Sequence, residues 1–299
     1  MSDDAPTVDV EGRHLKLSNL DKVLYPETGF TKRDVLAHYL AVGPTMLGHL
    51  RDRPVTFRRA PDGVTGQIFY EKHVPRGAPS WLRAIEVAGA KAGSTPIDYP
   101  AIDDLAGLIW AANLAVLEFH VPMWRVGRQG VPKRPDLLVV DLDPGAPAGL
   151  VECCRVALVL RQALADDGLT PVAKTSGSKG LQLYAPIGRW RRDSLEYAHD
   201  LARRIEAEHR DEVVSNMRKD LRPGKVLIDW SQNNPAKTTV APYSLRLTPV
   251  PGVSTPLRWE EVETVAAGGD EQALRFTPEE VAARLAQHGD LAASLLAGG

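Results

Sequence analysis

The run Leu137-Leu138-Val139-Val140-Asp141-Leu142-Asp143-Pro144-Gly145 constrains this chain more than any other segment. Four consecutive apolar residues read as a strand buried on both faces, and the Pro-Gly pair ends it. Side chains alternate along a strand, so Asp141 and Asp143 leave one face while Leu142 leaves the other. Two neighbouring carboxylates repel each other unless cations neutralise them, and hard oxygen donors suit Mg²⁺ or Mn²⁺. Val226-Leu227-Ile228-Asp229-Trp230 brings another acid out of an apolar run, which makes Asp229 the candidate third ligand. Three acids on adjacent strands suit two divalent ions about 4 Å apart, one at the attacking oxygen and one at the leaving group.

Around that strand, short apolar runs alternate with amphipathic stretches. Thr31 and Asp34 open a helix with Val35, Tyr39, Leu40, Met46 and Leu47 on its apolar side, and Pro44 is expected to kink or break it. Extended runs fall at 54–59 and 67–71, and Asp103 opens an apolar helix expected to reach about Leu117 and run into a strand over 118–124. Further helices are predicted over 150–165, over 193–209 with Asp193 as cap, and over 277–287; further strands fall at 171–175, 181–186 and 225–230. With no internal repeat and no long linker, the pattern predicts a single α+β domain over 1–299 with an acidic C-terminal portion from about residue 258.

Composition narrows the setting. No apolar run approaches the roughly 20 residues of a membrane span. Met1-Ser2-Asp3-Asp4 lacks the apolar stretch of a secretory signal. Cys153 and Cys154 are adjacent, a spacing that suits neither a disulfide nor a zinc site, so a reducing cytoplasm is expected. The net charge of −2 hides an uneven distribution. Residues 10–60 carry nine Lys/Arg against five Asp/Glu, whereas 258–299 carry three Arg against eight acids. Further basic groups cluster at Arg125, Arg128, Lys133 and Arg134, at Arg189, Arg191 and Arg192, and at Arg218, Lys219, Arg222 and Lys225. Interleaved with Phe57, Phe69, Tyr70 and Trp124, they permit phosphate and stacking contacts with nucleic acid.

Lys174-Thr175-Ser176-Gly177-Ser178-Lys179-Gly180-Leu181 lies between two strand-like runs. Small residues there let the backbone approach an anion, and Ser and Lys add donors, although a plain hairpin turn has the same composition. The Asp-x-Asp pair is equally open when taken alone. It fits a solvated strand end, a cap for the helix at Leu150, or an aspartyl-nucleophile phosphohydrolase, for which Pro144-Gly145 is a poor continuation.

Asp-Leu-Asp-Pro at 141–144, Ser-Gly-Ser-Lys-Gly-Leu at 176–181 and Ile-Asp-Trp-Ser-Gln-Asn at 228–233 occur in that order. Together with Ser18–Pro26, Phe69–Lys72, Leu117–Pro122 and Thr238–Arg246, they resemble the archaeo-eukaryotic primase superfamily. Within it they are most similar to the polymerase domain of bacterial ligase D and its stand-alone relatives, over most of the chain. The resemblance implies a primase-type polymerase domain, with central β-sheets flanked by helices. It implies that Asp141, Asp143 and Asp229 bind two Mg²⁺ or Mn²⁺ ions and carry catalysis. Ser176, Lys179, Gln182 and Arg246 then surround the incoming nucleoside triphosphate, and His120 lines the nucleotide site. Asn19, Lys22 and Lys32 match a pocket for a downstream 5′-phosphate, Phe69 and Tyr70 match aromatics that stack at the template base, and Arg222 matches a mobile-loop arginine. One departure is Gln182, where the family usually carries His.

Taken one by one, these residues also fit bland roles: His120 a satisfied core histidine, Phe69 and Tyr70 core aromatics, Lys22 and Lys32 solvated charges. The ordered set of motifs points instead to template-directed nucleotidyl transfer onto a primer 3′-hydroxyl at gapped or broken DNA with a 5′-phosphate. A preference for ribonucleotides is implied, and a role in end joining or gap filling. The sequence has no Lys-x-Asp-Gly ligase motif, so sealing is expected from a separate DNA ligase or a region outside this sequence, with a Ku-type end binder as a further partner. The rival readings are a non-catalytic DNA-end-bridging module and an Asp-x-Asp phosphohydrolase.

Overall fold

The protein is described by a computed structural model covering residues 6–88, 95–127 and 130–297. The Met1–Asp4 stretch and Arg128 lie outside the described residues. Two sheets organise the fold. The larger has five strands in the order Val172–Thr175, Leu181–Pro186, Leu137–Pro144, Val226–Asp229, Val213–Val214. Its pairs are antiparallel except the last.

The acidic run forms the central strand, and its alternation sorts its neighbours. Leu138, Val140 and Leu142 enter a core shared with helices α3 (Leu150–Asp166), α4 (Ser194–Glu208) and α5 (Trp259–Ala266). Leu137 and Val139 turn the other way, against Met123, Tyr184, Ala292 and Leu295. Asp141 and Asp143 continue that second face. Cys153 and Cys154 are buried on α3 as free thiols.

The smaller sheet has four antiparallel strands in the order Thr239–Val240, Val116–Val121, Thr56–Arg59, Phe69–Glu71. Phe57 and Phe119 point from it into a second core built with α1 (Lys32–Leu50) and α2 (Leu105–Asn113). Tyr39 of α1 sits at the centre of that core, where its hydroxyl donates to Leu117 O at 2.6 Å and accepts from Leu245 N at 3.1 Å. A buried ion pair lies where the two sheets meet: Arg53, 1% exposed, reaches Asp136 at 2.7 Å and donates to Pro122 O at 3.0 Å.

Helix starts follow their predicted caps. Thr31 and Asp34 form a capping box at α1, Asp193 caps α4, and Thr277 with Glu280 caps α6 (Pro278–His288). Three details differ from expectation. Leu40, expected on the apolar side of α1, is 47% exposed. Helix α1 runs unbroken through Pro44, an exposed residue, so the carbonyl that loses its N–H partner is on the water side. Helix α2 ends at Asn113, well before Leu117, and its cap is Asp104 rather than Asp103. Ala115 at φ +59° turns the chain out of the helix, and the strand then starts at Val116. Among the described residues no helix is long and apolar enough to cross a membrane.

Candidate active-site cleft

Register builds the site. Asp141 lies opposite Asp229 on one side and Gln182 on the other, and Gln182 lies opposite Lys174. Directly opposed residues share a sheet face, so four polar side chains form one row across four strands. Asp141, Asp143 and Asp229 offer carboxylate oxygens all within 4.8 Å of one another. Burial, and then the charge of Asp143, push the Asp141 carboxyl above the ordinary range, against a hydrogen bond from Gln182 that lowers it. Asp143 is also raised, by burial and then by Asp229. Asp229 is held in place: Oδ1 accepts from Ser231 N at 3.0 Å and Oδ2 from Gln232 Nε2 at 2.8 Å. Two carboxyls raised by burial and neighbouring charge, with Asp229 held beside them, offer hard-oxygen donors that fit a divalent cation, whose charge removes the repulsion.

The 176–180 loop lies against this row. Ser176 Oγ accepts the N–H groups of Ser178 at 3.2 Å and Gly180 at 3.1 Å, while Gly177 adopts φ +68°. A Cβ on Gly180 would lie 1.9 Å from Leu142 O, so only glycine lets the loop rest on the acidic strand. Lys179 is exposed beside it.

The opposing wall belongs to the smaller sheet. Cross-strand pairing puts Tyr70, Arg58 and Glu118 on one face, with His120 two residues along from Glu118. Glu118, 1% exposed, gathers Arg58 at 2.7 Å, His120 at 2.6 Å, Arg246 at 3.3 Å and the Leu247 N–H at 2.7 Å. Burial alone would raise its pKa, but the His120 hydrogen bond and the charges of Arg246, His120 and Arg58 outweigh it and hold Glu118 at about 2. Burial lowers His120 against the pull of Glu118. A carboxylate only accepts, so the His120 proton sits on Nε2, and neutral His120 keeps Nδ1 as an acceptor.

The two walls enclose a cleft of about 280 Å³ lined by His120, Asp141, Asp143, Ser176, Lys179, Gln182 and Arg246, with Gln232 and Thr239 beside them. The predicted nucleotide residues thus share one cavity with two of the acids. Arg222 ends a short turn behind the acids, where its Nη2 donates to Met217 O at 2.6 Å and its charge lowers Asp143.

The 5′-phosphate candidates form a separate group. Asn19 takes φ +52°, and Lys32 N donates to Lys22 O at 2.9 Å. Lys22 pairs with Asp62 at 2.7 Å. Lys32 is 5% exposed, with Nζ on Ser18 O at 2.6 Å, and burial followed by the nearby Lys22 charge lowers it to about 8. Phe69 and Tyr70 are consecutive in a strand and so point to opposite faces. Phe69 faces Arg59 at 5.6 Å, while Tyr70, 55% exposed, brings its hydroxyl 3.3 Å from Thr238 at the cleft.

Sequence reasoning missed Glu118, Arg58, Lys174 and Gln232. Glu118 carries a weak local signal, an acid two residues before a histidine in an apolar strand. Lys174 carries none, since nothing local says that a lysine at the start of a polar loop is buried.

The family described as "LigD, primase-polymerase domain" matches residues 31–292. The multifunctional non-homologous end joining DNA repair protein LigD of Mycobacterium tuberculosis is 44% identical over 287 residues, covering 93% of this chain and 36% of that protein. Its counterpart in Mycolicibacterium smegmatis is 43% identical over 285 residues, covering 94% and 36%. The chain therefore spans about a third of the length of these curated relatives. The solved polymerase domain of Mycobacterium tuberculosis ligase D, in complex with DNA, superimposes with a TM-score of 0.87 at 41% identity, covering 95% of this chain and 98% of that one.

Proposed function

Since the chain belongs to the LigD primase-polymerase domain family, a family of DNA-directed nucleotidyltransferases, we propose that it extends primer 3′-hydroxyls at DNA gaps or broken ends during repair. The observation that carries this reading is the row of acids in register at one wall of a cleft whose other walls carry anion-binding groups. Asp141, Asp143 and Asp229 would hold a pair of Mg²⁺ or Mn²⁺ ions. Bound there, divalent ions supply activation of the primer hydroxyl and neutralisation of the pyrophosphate leaving group. Lys179 and Arg246 bind the triphosphate and orient it along the cleft. Glu118 fixes Arg246 and His120 from behind, and the His120 Nδ1 acceptor suits a sugar hydroxyl, in keeping with a preference for ribonucleotides.

Lys22, Lys32 and Asn19 bind the downstream 5′-phosphate, where burial and then the Lys22 charge already lower Lys32. Tyr70 is the aromatic suited to stacking on a template base. Sealing then falls to a DNA ligase, with a Ku-type end binder as partner, whether in end joining or in gap filling.

Primer extension on gapped DNA tests this, with ribonucleotides against deoxyribonucleotides and a 5′-phosphate against a 5′-hydroxyl. Template-dependent extension favoured by ribonucleotides and by the 5′-phosphate is expected. Release of inorganic phosphate without primer or template, or DNA binding without extension, would overturn the reading.

A further inference from the structure

Lys174 is 1% exposed and yet pairs with no carboxylate among the described residues. Lysines are almost never buried this completely without a charged partner, and an apolar side chain would fill the same space at no desolvation cost. Its ammonium donates to two neutral acceptors, Gln182 Oε1 at 2.5 Å and Ser254 Oγ at 2.5 Å, and lies 5.4 Å from the Tyr184 ring centre. Ser254 is anchored in turn, donating to Thr175 O at 2.9 Å. Tyr184 is fixed by a 2.7 Å hydrogen bond to Thr239 and also approaches Gln182 Oε1, at 3.4 Å. The Tyr184 hydroxyl spends its one proton on Thr239 and so selects neither amide atom, which leaves the Lys174 ammonium as the neighbour that does.

That arrangement decides which way the Gln182 amide faces. An amide has nearly the same shape after a half-turn, so packing alone does not choose between its O and its NH₂. An ammonium has donors only and selects the oxygen. The NH₂ is then left for the other side, where Asp141 stands directly across the strand pair and its carboxyl is lowered by the Gln182 amide. The chain of contacts runs Lys174, Gln182, Asp141.

Building on the metal-dependent reading above, we infer that Lys174 is a positioning residue for the metal site, acting through Gln182 to hold the Asp141 carboxylate in its binding orientation. Outer groups that orient a metal-binding side chain typically change metal affinity 10- to 100-fold when removed. Gln182 on this account is occupied at both ends and serves the acid rather than the triphosphate.

The test measures Mn²⁺ binding to the full chain directly, by electron paramagnetic resonance of free Mn²⁺, without nucleotide or DNA. Lys174→Met should weaken Mn²⁺ binding about tenfold. The double variant Lys174→Met/Gln182→Leu replaces both partners by apolar groups and so keeps the test open if the single variant does not fold. It should bind Mn²⁺ no more weakly than Gln182→Leu alone, because the lysine acts through the glutamine. A folded Lys174→Met or double variant with wild-type Mn²⁺ affinity, changed only in melting temperature, would reduce Lys174 to a packing role and overturn the inference. Additive losses in the double variant would overturn the route through Gln182. Failure of the metal reading shows separately: wild-type chain that binds no Mn²⁺, or an Asp141→Asn variant that binds as well as wild type, removes both.

Discussion

Asp141 has an apolar neighbour on either side in sequence and polar ones across the sheet, and this difference organises the chemistry at the scale of single residues. Its own strand supplies Asp143 by alternation, while Asp229 and Gln182 arrive by pairing. Asp141→Ala, Asp143→Ala or Asp229→Ala should abolish primer extension while leaving DNA affinity within about twofold, since the acids are required at the chemical step. Gel-shift and extension assays on the same gapped substrate check it, and near-normal extension in Mn²⁺ would remove the acids from catalysis. Lys22 and Lys32 differ in how cleanly they can be tested. Lys32 is buried on Ser18 and its loss would disturb the local turn, whereas Lys22 is exposed and tied to Asp62. Lys22→Ala should therefore weaken binding to a 5′-phosphorylated gap about tenfold more than to its 5′-hydroxyl equivalent, as expected of one charge-assisted contact worth about 1.5–3 kcal/mol. Equal losses on the two substrates would make Lys22 a general phosphate attractor.

At the scale of elements, local signals and packing divide the work. The Thr31 capping box, the Asp193 cap and the Thr277-Pro278 start are written in adjacent residues, and the helices begin where those residues place them. The end of α2 was not legible, because the apolar run continues past it and the break comes from the left-handed turn at Ala115. The 176–180 loop was ambiguous for a similar reason. Its composition allows a hairpin or an anion cradle, and the structure shows a turn between paired strands whose backbone touches the acidic strand at Gly180. Gly180→Ala places a methyl group 1.9 Å from Leu142 O, so the loop must lift. The expected result is a nucleotide KM raised about tenfold or more, on the order of the 100-fold effects that a 1 Å displacement can cause. Steady-state extension with varied nucleotide measures it. An unchanged KM would dissociate the loop from the triphosphate.

Across the whole molecule, the segment that follows Thr239 ties the two sheets together, with Val240 paired to His120 in the smaller and Pro256 bridged to Lys174 in the larger. His38 of α1 is 4% exposed and its Nε2 lies 2.9 Å from Tyr243 O. Burial lowers its pKa from 6.5 to about 4, with the Tyr243 carbonyl and Glu279 pulling weakly the other way. The unfolded chain takes up this proton near pH 6.5 and the folded chain only near pH 4. The stability His38 contributes is thus complete above about pH 6.5 and is lost as the pH falls towards 4, by about 3 kcal/mol. Urea unfolding at pH 7 and pH 4 should show His38→Gln, which keeps a donor for Tyr243 O, losing about 3 kcal/mol less than wild type over that interval. Equal losses would mean that His38 protonates freely in the fold.

By itself the sequence determined whatever depends on near neighbours along the chain: the period-two display of Asp141 and Asp143, the capped helix starts, and a set of motifs ordered closely enough to point to the family. Tertiary structure alone decided the rest. It set Gln182 beside Asp141 and Lys174 beside Gln182, and made Glu118 the hub of Arg58, His120 and Arg246. The physical reason is that alternation and capping follow from the geometry of a few consecutive residues, whereas a strand's cross-strand partners are fixed by register, and register is chosen by the packing of whole faces into two cores.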